Sequence, residues 1–249
     1  SGHGAQRGIL VKEAQALETA GRLNTLVFDK TGTLTEGQAT VTDVLLVEGV
    51  DRETFLRGLA AAELSSSHPF AASIVAAVKP LLEPLPMASE LTTFAGEGIV
   101  SQVQGQSWAA GNERLMNRLE VDVPGLMQDA VERQRQDGRT PLLVAVDGTF
   151  RGVVVVSDPV KPTARQAVAR LQSLRLKLWM ISGDHHAVAE SIARQLGIEQ
   201  VMAEVTPQQK QAEIERLQQD GRVVGMVGDG VNDAPALAMA DLGIALGTG

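Results

Sequence analysis

Three short apolar runs, each stopping at a turn-rich segment that carries an aspartate, constrain this chain more than any other feature. Leu23–Phe28 ends in Asp29 and Lys30-Thr31-Gly32-Thr33; Leu176–Ile181 ends in Ser182-Gly183-Asp184; Val223–Val227 ends in Gly228-Asp229-Gly230. Runs of this length, bounded by Gly, Ser and Thr, read as buried strands. Leu242–Leu246 reads as a fourth. Helical spacing lies between them, as at Val188, Ile192 and Leu196, and Thr206-Pro207 supplies a cap and first-turn start for a helix to about Gln219. Alternating strands and helices predict an α/β fold with a doubly wound parallel sheet. Ligands of such sheets gather beyond the carboxyl ends of the strands, so the three loops describe one site.

The stretch between the first and second of these strands is too long for a crossover and has its own pattern. A helix is expected over Arg52–Leu64 and another from Pro69, with Phe70, Ile74 and Val78 on one face. Beyond Thr92 come alternating, hairpin-like strands over Ile99–Gln104, Leu142–Val146 and Val153–Val156. The expectation is an inserted α+β domain, an antiparallel sheet flanked by helices, over residues 40–156. Residues 8–39 and 157–249 would form the two parts of the parent domain, with hinges near Gly37 and Asp158-Pro159.

Composition removes several function classes. A formal net charge of -8 argues against a nucleic-acid partner, which needs clustered Lys and Arg. It leaves a nucleotide open, since a few local donors suffice. Zero cysteines exclude disulfides and cysteine-ligated metal. No apolar run approaches the roughly 18–20 residues that cross a bilayer.

Taken singly, each polar residue has an ordinary structural reading. An Asp after a strand commonly caps a turn, a helical lysine such as Lys210 commonly faces solvent, and Gly228-Asp229-Gly230 can be a tight turn. Together they fall where one phosphoryl-transfer site requires them. A strand-end carboxylate can attack phosphorus when other groups neutralise the incoming charge. Thr31, Gly32 and Thr33 offer backbone N–H groups and hydroxyls, Lys210 a point charge, and Ser182-Gly183 a hydroxyl with neighbouring donors. Asp229 is placed to share Mg²⁺ with Asp29, and Asn232 and Asp233 to fix water, metal or that loop.

The motif Asp29-Lys30-Thr31-Gly32-Thr33-Leu34-Thr35, with Thr206-Pro207-x-x-Lys210 and Gly228-Asp229-Gly230-Val231-Asn232-Asp233, resembles the P-type ATPase branch of the haloacid-dehalogenase superfamily. Ser182-Gly183-Asp184 has Ser where Thr is more usual, which keeps the hydroxyl, and Asp158-Pro159-Val160-Lys161-Pro162 is similar to the family's hinge segment. The resemblance implies that Asp29 takes the γ-phosphate of ATP, with Lys30, Thr31, Thr33, Ser182, Gly183, Asp184, Lys210, Asn232 and Asp233 in the catalytic set. Mg²⁺ would be held by Asp29, Thr31 and Asp229. Phosphatases of the superfamily have a second Asp two residues after the nucleophile; that position is Thr31, which cannot shuttle protons near neutral pH. An aspartyl phosphate should therefore persist. A free-standing phosphatase with the insert as cap, and a non-catalytic nucleotide-sensing module, stay open as alternatives.

In the insert, His68 before Pro69 reads as a capping or packing residue, Glu63 as a helix-surface residue, and Gly96-x-Gly98 and Gly111-Asn112 as turns. In this order, however, Glu63, Ser66-Ser67-His68-Pro69, Gly96-Glu97-Gly98-Ile99 and Gly111-Asn112 resemble the nucleotide domain of heavy-metal P-type ATPases. By that resemblance Glu63 and His68 face the adenine, and Gly96, Gly98, Ile99, Gly111 and Asn112 give the nucleotide backbone room. ATP and ADP would be the ligands, and the transmembrane helices and actuator domain of the same pump the partners. The fragment would be a monomer on the cytoplasmic face of a membrane. Copper is the first expectation for the transported ion, by analogy with the commonest members of the subclass; zinc, cadmium, lead and cobalt stay open.

Overall fold

A computed structural model of the chain describes residues 10–64, 66, 70–82, 84–230 and 233–247. In chain order the elements are α1 (Ala14–Ala20), β1 (Thr25–Asp29), β2 (Thr40–Leu46), α2 (Arg52–Glu63), α3 (Ala71–Leu82), β3 (Ala88–Phe94), β4 (Gly98–Val103), β5 (Gln106–Gly111), α4 (Glu113–Arg118) and α5 (Gly125–Gln136). There follow β6 (Thr140–Val146), β7 (Thr149–Ser157), α6 (Ala164–Ser173), β8 (Lys177–Ile181), α7 (His186–Leu196), β9 (Gln200–Met202), α8 (Pro207–Gln219), β10 (Val224–Gly228), α9 (Ala234–Met239) and β11 (Leu242–Ala245). They form two compact units, Ser1–Gly37 with Val160–Gly249, and Gln38–Pro159. Among the described residues no helix is long and apolar enough to cross a membrane.

The first unit is built on a parallel sheet of order β11-β10-β1-β8-β9. Every residue of β1 is buried, because helices cover both faces of the sheet. The two-residue alternation of a strand sends Leu26 and Phe28 into a core with Ala164, Val168, Ile192 and Leu196. Val27 goes to the other face, against Ile214, Leu217 and Ala236. In-register pairing of Phe28 with Met180 and with Val227 sets the ends of β1, β8 and β10 side by side. The helix α8 starts where the sequence places it: Thr206 and Gln209 form a reciprocal capping box, with Pro207 in the first turn.

The second unit is a six-stranded antiparallel sheet of order β2-β7-β6-β5-β4-β3. Along β7, Val154 and Val156 pack with Phe55, Leu59 and Ile74 of α2 and α3. Val153 and Val155 pack on the opposite face with Leu115, Met116 and Val131 of α4 and α5. The α/β class with an antiparallel α+β unit inserted into a parallel-sheet unit is thus the observed fold. The strand β2 was not read from the sequence. Its exposed Thr40 and Thr42 and half-exposed Asp43 interrupt the apolar pattern, and its register shifts between Val41 and Asp43.

Candidate active site

The nucleophile candidate is the last residue of β1. Asp29 is only 5% exposed, and its Oδ1 accepts a hydrogen bond from Lys210 Nζ at 2.6 Å. Lys210 sits on the buried face of α8, 7% exposed, and also donates to Asp233 Oδ1 at 2.7 Å. One ammonium therefore bridges two carboxylates that lie far apart in sequence. Burial pushes the Asp29 carboxyl up to about 6; Lys210 pulls it down, while Asp233 and Asp229 push it further up. Burial also works against the Lys210 ammonium, but its two acidic partners outweigh that and hold its pKa above the ordinary lysine value.

The loop after Asp29 turns through Thr31 (φ -74°, ψ 125°) and Gly32 (φ 73°, ψ -11°), the backbone of a type II turn whose second central residue favours glycine. Thr31 is exposed, whereas Thr33 is buried and its Oγ1 has no hydrogen-bond partner. Lys30 points to the neighbouring strand end, where its Nζ pairs with Asp184 Oδ2 at 2.7 Å. Ser182 Oγ donates to the same Asp184 oxygen and accepts from the Asp184 N–H. Gly183 has room around it, the nearest backbone being Val205 O. Asp229 stands beside the loop: a Cβ on Gly32 would lie 3.6 Å from its Oδ2. At Gly228 a Cβ would meet Asp233 Oδ2 at 2.7 Å, so the absence of a side chain there admits the Asp233 carboxylate. Asn232 lies outside the described residues. The site thus brings together Asp29, Lys30, Asp184, Asp229 and Asp233, from the ends of three parallel strands and the loops that follow them, and Lys210 from α8.

A divalent cation fits this donor set. Asp233 is 1% exposed and its Oδ2 is buried with no hydrogen-bond partner, while Asp29 feels repulsion from both Asp229 and Asp233. Among the described residues no group of three or more His, Cys, Asp or Glu has metal-holding geometry. Asp29 and Asp229 would offer the cation one or two carboxylates, to be completed by phosphate and water, which is the habit of Mg²⁺. The cavity of about 330 Å³ in this unit lies elsewhere, at the opposite end of the sheet, lined by Lys177, Trp179, Gln200 and Arg222 among others.

In the second unit, Glu63 closes α2 and is 1% exposed, so it is not the helix-surface residue its sequence position suggests. Burial lifts its carboxyl to about 7, with Ser66 beside it pulling the other way; neither carboxylate oxygen has a hydrogen-bond partner of good geometry. His68 lies outside the described residues. Gly98 and Gly111 are cross-strand partners on β4 and β5. A Cβ on Gly98 would meet Ala110 O at 2.2 Å, and one on Gly111 would meet Glu97 O at 2.3 Å, so this close approach requires both glycines. Gly96, at φ 72°, faces open space. Asn112 caps α4 by accepting from Arg114 N and Leu115 N, and donates from Nδ2 to Gly96 O at 2.8 Å. Ile99 is fully buried in the core, and its strand is paired on both sides, with Thr93 and with Ala110 opposite it. Sequence reasoning missed Glu97 and Arg118, which pair through two hydrogen bonds of 2.6 and 2.7 Å across this turn, Arg118 lying over Phe94.

Residues 23–241 match the family described as haloacid dehalogenase-like hydrolase. The chain belongs to that family. Over 249 residues it is 47% identical to a probable copper-exporting P-type ATPase V of Mycobacterium tuberculosis, covering 100% of this chain and 32% of that protein. It is 43% identical over 249 residues to a copper-exporting P-type ATPase of Bacillus subtilis, again 100% of this chain and 31% of the relative. A solved catalytic CPx-ATPase domain superposes with a TM-score of 0.70 at 26% identity, over 95% of this chain and 83% of that one. Within the hydrolase family the chain therefore falls in the heavy-metal P-type ATPase branch. It spans about a third of the length of the curated relatives it matches.

Proposed function

We propose that this hydrolase-family chain binds ATP with Mg²⁺ and transfers the γ-phosphoryl group to Asp29. The observation that carries the reading is the Lys210 ammonium bridging Asp29 and Asp233 at 2.6 and 2.7 Å at the end of a buried parallel strand. A carboxylate held this way stays ionised despite burial and is aimed at the space beyond the sheet, where a phosphoryl group would arrive.

The step balances simply. An Asp29 carboxylate oxygen attacks the γ-phosphorus in line, an O–P bond forms, the bond to the β-phosphate oxygen breaks, and ADP leaves with that electron pair. Lys210 spreads the charge on the transferring oxygens, and the backbone N–H groups of the Thr31–Thr33 turn donate to them, joined by the Ser182 hydroxyl once it turns away from Asp184. Asp29 and Asp229 would hold Mg²⁺, with Thr31 contributing from the loop; bound there, the cation supplies charge neutralisation between phosphate and carboxylates. Thr31 stands where a proton shuttle would be needed to hydrolyse the product, so the aspartyl phosphate outlasts its formation.

The Gln38–Pro159 unit is the proposed nucleotide binder, through Glu63, His68, Gly96, Gly98, Gly111 and Asn112, with Ile99 packing behind the two glycines. In a whole protein of the relatives' kind, about three times as long as this chain, the phosphorylated state would drive export of a heavy-metal ion, copper being the reading that the names of the relatives support.

Incubation with γ-³²P-labelled ATP and Mg²⁺, quenched in acid, tests the reading. It expects acid-stable, hydroxylamine-sensitive label in the chain and none in Asp29→Asn, with nucleotide affinity retained in that variant. Equal labelling of the two proteins defeats the assignment of the nucleophile.

A further inference from the structure

The chain leaves the first unit after Gly37 and re-enters it at Val160. Inside that unit both crossings are fastened to one residue of the nucleophile loop. Gly37 packs so closely on Gly32 that a Cβ at Gly37 would stand 3.0 Å from Gly32 Cα. Lys161, just after the second crossing, donates from Nζ to the Gly32 carbonyl at 2.6 Å. Its backbone N–H also donates to Leu34 O at 2.9 Å. Thr35 and Val160 form an antiparallel bridge between these contacts. On its remaining side Gly32 faces Asp229.

The lysine contact has a directional consequence. A trans peptide points its C=O and the following N–H in opposite senses, so an ammonium that fixes the Gly32 carbonyl also fixes the direction of the Thr33 N–H. Gly32 at φ 73° belongs to a turn whose peptide planes would otherwise have more than one accessible orientation. Lys161 is half-buried, and its ammonium donates to this backbone oxygen, with no acidic side chain as its partner among the described ion pairs. A charge-assisted bond to a loop carbonyl is stronger than a neutral one and is suited to holding such a turn.

We propose that Lys161 is a positioning residue for phosphoryl transfer. It holds the Gly32 turn in the geometry in which the Thr33 N–H and Asp229 meet the incoming phosphoryl group and its cation. It also makes that geometry depend on the segment through which the chain returns from the second unit. This rests on the reading of Asp29 as the nucleophile.

The test uses the 249-residue chain and the variants Lys161→Met and Lys161→Arg. Phosphoryl uptake from γ-³²P-labelled ATP is followed over a range of Mg²⁺ concentrations, and ATP affinity is measured by calorimetry. For Lys161→Met the expected result is labelling slower by about tenfold, the size of one charge-assisted hydrogen bond, with a higher Mg²⁺ requirement and unchanged ATP affinity. Lys161→Arg, which can still donate to the carbonyl, restores most of the rate. Wild-type labelling rate and Mg²⁺ dependence in Lys161→Met overturn the proposal, as does a loss of rate and ATP affinity together that Arg does not rescue. If the unsubstituted chain takes up no label, the nucleophile reading fails by itself. The holding of the turn is then read by hydrogen exchange at the Thr35 N–H, which bonds to Lys30 O at 3.1 Å. Faster exchange in Lys161→Met supports the positioning role, and unchanged exchange overturns it.

Discussion

Lys210 Nζ lies 2.6 Å from Asp29 Oδ1, and the two side chains come from elements that are 181 positions apart in the chain. The same nitrogen reaches Asp233. Because all three groups are buried, neither carboxylate can stay charged comfortably without the ammonium.

Lys210→Met should therefore cost both chemistry and stability. Breaking a buried pair by removing one partner typically costs about 3–5 kcal/mol. The loss should appear in urea unfolding at neutral pH and shrink in acid, as Asp29 takes up a proton and ceases to need a partner. Labelling from ATP should fall by about a hundredfold or more, the scale of losing a main charge stabiliser of a transition state. An unfolding midpoint independent of the substitution at every pH contradicts the bridge.

The rate of labelling should depend on pH through Asp29. Its carboxyl is raised to about 6, chiefly by burial, and only the ionised form attacks phosphorus. At low Mg²⁺ the rate should fall as pH drops through about 6. Raising Mg²⁺ should move that acid limb downward, because the cation favours the carboxylate. A limb indifferent to Mg²⁺ would separate Asp29 from the cation.

Glu63 gives a stability test that needs no reaction. Its pKa is raised from 4.5 to about 7 by burial, so the folded chain holds a proton that the unfolded chain has released. Stability contributed by the protonated form is full below pH 4.5 and is lost as pH rises towards 7. Glu63→Gln removes that loss. The variant should match the unsubstituted chain in acid and exceed it by about 3 kcal/mol above pH 7, read by denaturant titrations at several pH values. A constant difference across pH would place Glu63 in water.

The two glycines of Gly96-x-Gly98 should separate cleanly. Gly98→Ala drives a Cβ to within 2.2 Å of the Ala110 carbonyl at φ 146°, so strand pairing of β4 with β5 must yield, at a cost of several kcal/mol in thermal unfolding. Gly96→Ala meets nothing within 4 Å and pays only for its left-handed φ, about 1 kcal/mol. Any loss of ATP affinity in Gly96→Ala at full stability then speaks for the nucleotide, whereas Gly98 substitutions speak first for packing.

These contrasts mark what the amino-acid sequence makes legible. The strand-end aspartates could be read because a doubly buried parallel strand is a short apolar run, and its loop follows at once in sequence. Lys210 could be found through the spacing after Thr206-Pro207. Other contacts carry no local signal. The Lys161 hydrogen bond to Gly32 joins positions 129 apart, and Lys30 finds Asp184 only once β1 and β8 lie side by side. Glu63 reads as a surface residue because charge usually means exposure. Its burial follows from the alanine-rich end of α2, where Ala60, Ala61 and Ala62 are all within the core. Gly98 and Gly111 read as turns, yet their shared reason is a cross-strand contact visible only with the register known.

The most direct measurement is chemical trapping of the phosphorylated carboxylate. The chain is incubated with ATP and Mg²⁺, reduced with borohydride, digested and sequenced by mass spectrometry. Reduction converts an acyl phosphate to the alcohol and leaves free carboxylates untouched, so the account predicts homoserine at position 29, dependent on ATP and absent when ADP replaces it. Homoserine at another aspartate, or none at position 29 while the chain hydrolyses ATP, contradicts it.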